Sequence, residues 1–253
     1  MWAGDWLMRH WRVAPCGASR ETSPGLALAD GTRVADHVDL PFEVKILDIG
    51  DRLSIQVHPD AVAARAHGYA QGKDEIWVVL HAAPEARVAA GLKPGVTAAD
   101  VASHTRAGTL AEVLSWRPAR AGDRIDLPAG TIHAACGPLV LYEVHTRCDL
   151  TWRLHDWDRG RTLDVPAALA LVARTLDTPA PALGFNVWRV GNGEVLDHAA
   201  WTALTCIEGT VFVDRAEVVA GTTVLLGPGR VSLHGDGVGL LASSTLATGA
   251  PAV

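Results

Sequence analysis

The stretch "LSIQVHPD", Leu53 to Asp60, alternates in the manner of a half-buried strand. Residues two apart on a strand share a face, so Leu53, Ile55 and Val57 point one way and Ser54, Gln56 and His58 the other. A hydroxyl, an amide and an imidazole on one face allow two readings. Either the face looks into water, or it is buried against a partner that satisfies its polar atoms. Burying an unpaired amide or imidazole costs about 1–3 kcal/mol each, and a metal ion is a partner that removes that cost. A second imidazole, His133, sits in "GDRIDLPAGTIHAACG", Gly122 to Gly137.

The elements that must position these groups are mostly strands. "FEVKILDIG", "RLSIQVHP" and "DEIWVVLHA" carry β-branched residues at period two, and "DRIDLPAGTIHA" and "LVLYEVHT" are strands with turn signals. Three helices are expected: a short one in "DAVAARAHGYA", one over 97–114, and one over 162–176. Thr97 and Thr109 each precede an acidic residue by three places, the capping-box arrangement. Residues 1 to about 40 read as an irregular wrapping arm. After "DTPAPALG" there are only short strands, and the "GNG" between "NVWRV" and "EVLDH" suits a primed hairpin turn. Many short strands with Gly/Pro turns indicate a jelly roll or sandwich.

The spacing Gly122, five residues, Pro128, four residues, His133, three residues, Gly137 resembles the second motif of the cupin family, G(x)5P(x)4H(x)3N, with Gly137 in place of Asn. The first cupin motif begins G(x)5HxH. Gly50, five residues and then Gln56-Val57-His58 match it, with Gln for the first His. The motif's glutamate falls on Glu75, displaced by the intervening helical "DAVAARAHGYAQG". The resemblance implies a mainly β fold: cupin-type jelly-roll β-barrels in two lobes, with a few inserted α-helices. It also brings Gln56, His58, Glu75 and His133 into one barrel. Two imidazoles, a carboxylate and an amide oxygen suit a borderline divalent ion such as Zn2+. A single carboxylate leaves the ion net positive and able to polarise a substrate oxygen.

The segment Lys45 to Arg161 resembles a narrower family, the type I phosphomannose isomerases. The carriers are "FEVKILDIGDRLSIQVHPD", "GKDEIWVVL", "LPAGTIHAACGPLVLYEV" and "DLTWRLHDWDRGR", with "WAGDWL" similar to the family's opening motif. This resemblance implies the same four zinc ligands. It places an active-site arginine on Arg153 and phosphate- and sugar-contacting groups on Lys45, Ser54 and Lys73. A carboxylate near the sugar falls on Glu143, with Asp149 close to Arg153 in sequence. Moving a proton between C1 and C2 of a sugar phosphate through an enediol wants these types: a positioned acid–base, a cation for the developing oxyanion, and donors for a dianionic phosphate. Outside the family, Arg153 would by default pair with Asp156 or Asp158. His145 shares a face with Glu143 and competes with it as the base.

The match also departs from the family. The chain is shorter than the members it resembles and lacks the helical domain of the larger forms. In the tail, Gly221, Pro228 and His234 miss cupin spacing. The expected division is a catalytic cupin lobe over 1–160, a helical connector over 161–182, and a second, metal-free jelly-roll lobe over 183–253.

A formal charge of −6 argues against a nucleic-acid surface, which needs a basic face. The four cysteines, Cys16, Cys136, Cys148 and Cys206, show no CxxC pair and read as reduced thiols. No apolar run approaches the ~20 residues of a membrane span. A cytoplasmic enzyme acting on a small sugar phosphate is therefore expected, without nucleic-acid or membrane partners; the sequence does not set an oligomeric state. Two rivals stand beside the isomerase. A non-catalytic sugar-phosphate-binding cupin is disfavoured by Glu143, Asp149 and Arg153 occurring together. A redox cupin is disfavoured by Gln56 among the ligands.

Overall fold

The strand pattern of the sequence closes into barrels. A computed structural model describes residues 41–179 and 182–244 in full and, before them, the backbone of three short strands, β1 (Asp5–Trp6), β2 (Arg12–Ala14) and β3 (Gly17–Glu21). The expected wrapping arm thus contains short strands. The remainder of that arm and Cys16 lie outside the described residues.

Nine strands follow in the first lobe: β4 (Phe42–Ile49), β5 (Ile55–Val57), β6 (Glu75–Ala82), β7 (Arg87–Leu92), β8 (Leu114–Pro118), β9 (Arg124–Leu127), β10 (His133–Cys136), β11 (Leu139–Thr146) and β12 (Trp152–His155). They form two sheets, in the orders β12-β5-β10-β7-β8 and β2-β3-β4-β11-β6-β9. Three helices interrupt them: α1 (Ala61–Arg65), α2 (Ala98–Ala107) and α3 (Val165–Thr175).

The expected helix over 97–114 is α2 followed by a 3-10 turn, Leu110–Val113, with the left-handed Gly108 between them. Thr97 makes its capping box with Asp100. Thr109 does not cap; its hydroxyl bonds His104 Nδ1 at 2.8 Å instead.

Two apolar clusters lie on opposite sides of the five-stranded sheet. One fills the space between the sheets and includes Ile49, Trp77, Val79, Val88, Leu127, Ala135 and Leu141. The other lies on the outer face, where Ile55, Val57, Ala134, Trp152 and Leu154 meet Val101 of α2 and Ala168, Leu171 and Val172 of α3. Period-two alternation produces both. Leucine and valine side chains on the outer face anchor the sheet under the helices, leaving its inner face free to carry polar groups. The polar face of "LSIQVHPD" is therefore neither in water nor in an apolar core: Ser54 and His58 are each 2 % exposed, inside the barrel.

The second lobe comprises β13 (Asn186–Val190), β14 (Val195–His198), β15 (Thr202–Glu208), β16 (Thr210–Val213), β17 (Ala216–Val219), β18 (Thr223–Leu226), β19 (Gly229–Gly235) and β20 (Val238–Ser243). Its sheets run β1-β18-β15-β20-β13 and β14-β19-β16-β17. Trp188, Leu204, Val211, Val224, Leu233 and Leu241 lie in its core. The expected hairpin across "GNG" is absent: β13 pairs with β20 and β14 with β19. By contacts, one unit comprises Val13–Ser19 and Ile46–Leu183, and the other Met1–Arg12, Arg20–Lys45 and Gly184–Val253. Among the described residues no helix is long and apolar enough to cross a membrane.

Candidate metal centre and active site

Each strand of the first barrel changes character along its length. β6 begins with the inward Glu75 and continues with Trp77 and Val79. β10 begins with His133 and continues with Ala135. β11 runs the other way, from Leu141 to Glu143 and His145. One end of the barrel interior is thus apolar and the other polar, and both are shielded from solvent.

At the polar end, ligand atoms of His58, Glu75 and His133 lie within 4.8 Å of one another. His58 follows β5, where Pro59 ends the strand. Its Nε2 stands 3.1 Å from Glu75 Oε1, and His133 Nε2 stands 3.5 Å from Glu75 Oε2. Each imidazole donates through Nδ1 to a backbone carbonyl, His58 to Leu150 at 3.0 Å and His133 to Thr131 at 2.9 Å. A carbonyl only accepts, so Nδ1 carries the proton and Nε2 presents a bare lone pair. Two lone pairs therefore face a carboxylate. His58 Nε2 and Glu75 Oε2 make no hydrogen bond although both are buried. Leaving such atoms unsatisfied costs about 1–3 kcal/mol each. A divalent cation among them satisfies all three groups, and an imidazole fixed through Nδ1 by a carbonyl is the usual support of a metal ligand. The donor set fits a metal.

Gln56 lies beside this cluster. It is the cross-strand partner of His133 on one side and of Arg153 on the other. Its Nε2 is 3.1 Å from His133 Nε2, and its Oε1 accepts from the Ser54 hydroxyl at 2.9 Å. Lys73 Nζ is 2.8 Å from Glu75 Oε1. Burial pushes His58 down to about 4 and lowers His133, so both rings are neutral near pH 7. Burial also works against charge on Glu75 and Lys73. For Glu75 the neighbouring His58 ring and the Lys73 ammonium more than reverse it, holding the carboxyl well below its ordinary range. For Lys73 the carboxylates of Glu75 and Glu143 outweigh burial and raise it.

Glu143 sits opposite Trp77 across β11 and β6, and the indole Nε1 donates to its Oε2 at 2.8 Å. The same indole meets His133 edge-on, centroids 5.3 Å apart. His145, opposite Glu75, donates from Nδ1 to Thr146 O at 2.7 Å and holds Nε2 3.9 Å from Glu143 Oε1. The sequence offers no direct sign of the Trp77 bond; the only trace is that Trp77 follows Glu75 at the strand period.

Arg153 is half-buried on β12, and its Nε is buried without a hydrogen-bond partner among the described residues. It does not take the surface ion pair it would have by default. Asp156 is held by Arg159 at 2.9 Å and by Arg161. Partial burial opposes its ionisation, but the two guanidiniums bring it down to about 2. Asp164 instead accepts from the Arg153 backbone N–H at 3.3 Å. Lys45 is half-buried on β4, the strand beside β11. Asp149 is exposed before β12 and adds to the field that raises Lys73.

Both the sequence and the fold have counterparts among known proteins. The family described as phosphomannose isomerase type I, catalytic domain, matches residues 26–74. The chain is 31 % identical over 177 residues to a mannose-6-phosphate isomerase of Streptococcus mutans, covering 68 % of this chain and 51 % of that one. It is 32 % identical over 120 residues to the mannose-6-phosphate isomerase ManA of Bacillus subtilis, covering 47 % and 38 %. The chain thus spans about half the length of the curated relatives it matches. In fold it superposes on the crystal structure of a mannose 6-phosphate isomerase from Bacillus subtilis with a TM-score of 0.75 at 18 % identity, covering 92 % of this chain and 88 % of that one. By sequence and cupin-type fold together, the chain is a relative of the type I phosphomannose isomerases.

Proposed function

We propose that the chain is a zinc-dependent aldose–ketose isomerase interconverting mannose 6-phosphate and fructose 6-phosphate. The observation that supports this most is the convergence of His58, Glu75 and His133 around a point that needs a cation, in line with Gln56 and Arg153 on neighbouring strands. In this reading Gln56, His58, Glu75 and His133 would hold the ion. A bound Zn2+ would supply Lewis-acid polarisation of a substrate oxygen.

The chain's own groups do the rest. Glu143 takes the proton from C2 of the open-chain aldose and returns it to C1 of the enediol, while the C2 hydroxyl proton passes to O1. Trp77 Nε1–H donates to Glu143 Oε2 and so fixes the orientation of the carboxylate. Arg153 stays protonated throughout and so stabilises the charge developing on oxygen rather than acting as base. Lys45, Lys73 and Ser54 receive the phosphate, and Asp149 a sugar hydroxyl.

The test is a coupled assay for fructose 6-phosphate formation before and after chelation. Turnover that disappears with chelator and returns with zinc supports the reading. Binding of the sugar phosphate without turnover in any metal state overturns it in favour of a non-catalytic binder.

A further inference from the structure

Behind the metal-bearing segment, outside the barrel, lies a cavity of about 770 Å3. Its lining leaves out the ligands of the metal cluster. Gly72 and Asp74 face it but Lys73 and Glu75 do not; Thr131 faces it but His133 does not; Thr146 faces it but His145 does not. It is therefore a space separate from the reacting centre. Leu92, Val96, Ile132, Val172 and Leu176 give it an apolar wall. Its charged lining consists of the carboxylates of Asp60, Asp74 and Asp177 against the single ammonium of Lys93.

These charges differ in how far they are already engaged. Asp60 accepts from Ala63 N at the start of α1 and pairs with Arg174 at 2.7 Å. Asp74 gives one oxygen to the Ala129 N–H at 2.8 Å, and its other oxygen has no partner among the described residues. The side chains of Asp177 and Lys93 also make no hydrogen bond or ion pair among the described residues. A space of this size with an apolar wall and a few convergent polar groups is what a small-molecule site requires. The excess of carboxylates decides the sign of its ligand. A sugar phosphate or any other anion is repelled, whereas an ammonium gains a charge-assisted hydrogen bond.

We propose that this cavity binds a small organic amine, its apolar body against the Leu92–Val172 wall and its ammonium on the free oxygen of Asp74. The probes are three molecules of one shape: cyclohexylmethylamine, cyclohexylmethanol and cyclohexanecarboxylate. Each is titrated calorimetrically at neutral pH into the full, metal-loaded chain. The amine binds about tenfold more tightly than the alcohol, the difference that one charge-assisted bond makes, and the carboxylate binds least. Asp74→Asn brings amine and alcohol to within about twofold. Val96→Trp, which fills the cavity from a loop, abolishes binding of both while metal content stays at the level of the unaltered chain. Three results overturn the proposal: no heat with the amine, equal affinity for amine and carboxylate, or amine binding undiminished in Val96→Trp.

Discussion

At the scale of single residues, the proposed isomerase holds its ion and moves its proton with different groups. Arg153 has a buried donor with no protein partner among the described residues, and it is not one of the three clustered ligands. Arg153→Ala is therefore expected to lower turnover about a hundredfold or more while the zinc content of the purified protein is unchanged; metal analysis beside the coupled assay checks both. Glu143→Gln keeps an oxygen for the Trp77 indole but cannot carry a proton. Its rate should fall by about 10²–10⁴ with no shift in melting temperature, as kinetics and thermal denaturation of the same sample would show. The clustering of His58, Glu75 and His133 was legible because imidazole and carboxylate are metal-ligating types and the cupin spacing orders them. What was not legible is which donor each group meets. The carbonyls of Leu150 and Thr131, which fix the two tautomers, belong to backbone that any residue type supplies. Gly137 is instructive in the same way. It replaces the Asn of the cupin motif, and a Cβ at its position would lie 1.9 Å from the Ile49 carbonyl oxygen, so the chain crossing there excludes every side chain.

At the scale of elements, the sequence reveals what is periodic and hides what is decided by pairing. The three helices and the strands of the first lobe follow from apolar spacing, and Thr97 with Asp100 marks a helix start that forms. Thr109 carries the same signature without capping, because His104, five residues earlier on α2, reaches its hydroxyl first. "GNG" permits a reversal, yet burial of Trp188 and Leu196 in one core sends β13 and β14 to opposite sheets. The helices also bear on the site, since α3 covers the outer face of the strands that carry Gln56 and His133 inside. Leu171 is 1 % exposed in that contact. Leu171→Ala should destabilise the fold by about 2–5 kcal/mol and weaken metal retention with it, as denaturant melts and competition with a chromogenic chelator would reveal. The reverse result, loss of stability with full retention of metal, would mean that α3 does not support the site.

At the scale of the whole molecule, the buried imidazoles make stability depend on acidity. His58 titrates near 6.5 when unfolded and at about 4 when folded. Between those values the unfolded chain holds a proton that the folded chain lacks, so stability rises with pH across the window. The contribution, about 3 kcal/mol, is complete above about pH 6.5 and is lost as pH falls towards about 4. His133 is also lowered and acts with the same sign. Urea midpoints of the chelated protein from pH 7 to pH 4 should therefore drop steadily, while the zinc-loaded protein holds its midpoint further into acid.

Lone pairs aimed inward also govern how long the protein survives in a cell. A chain emptied of its ion keeps repulsive atoms in its interior, opens more often, and is removed by quality-control proteases in proportion to that opening. Scarcity of the ion then thins the pool of molecules. Pulse-chase labelling in depleted and replete media would record it as a shortened half-life, restored by resupply.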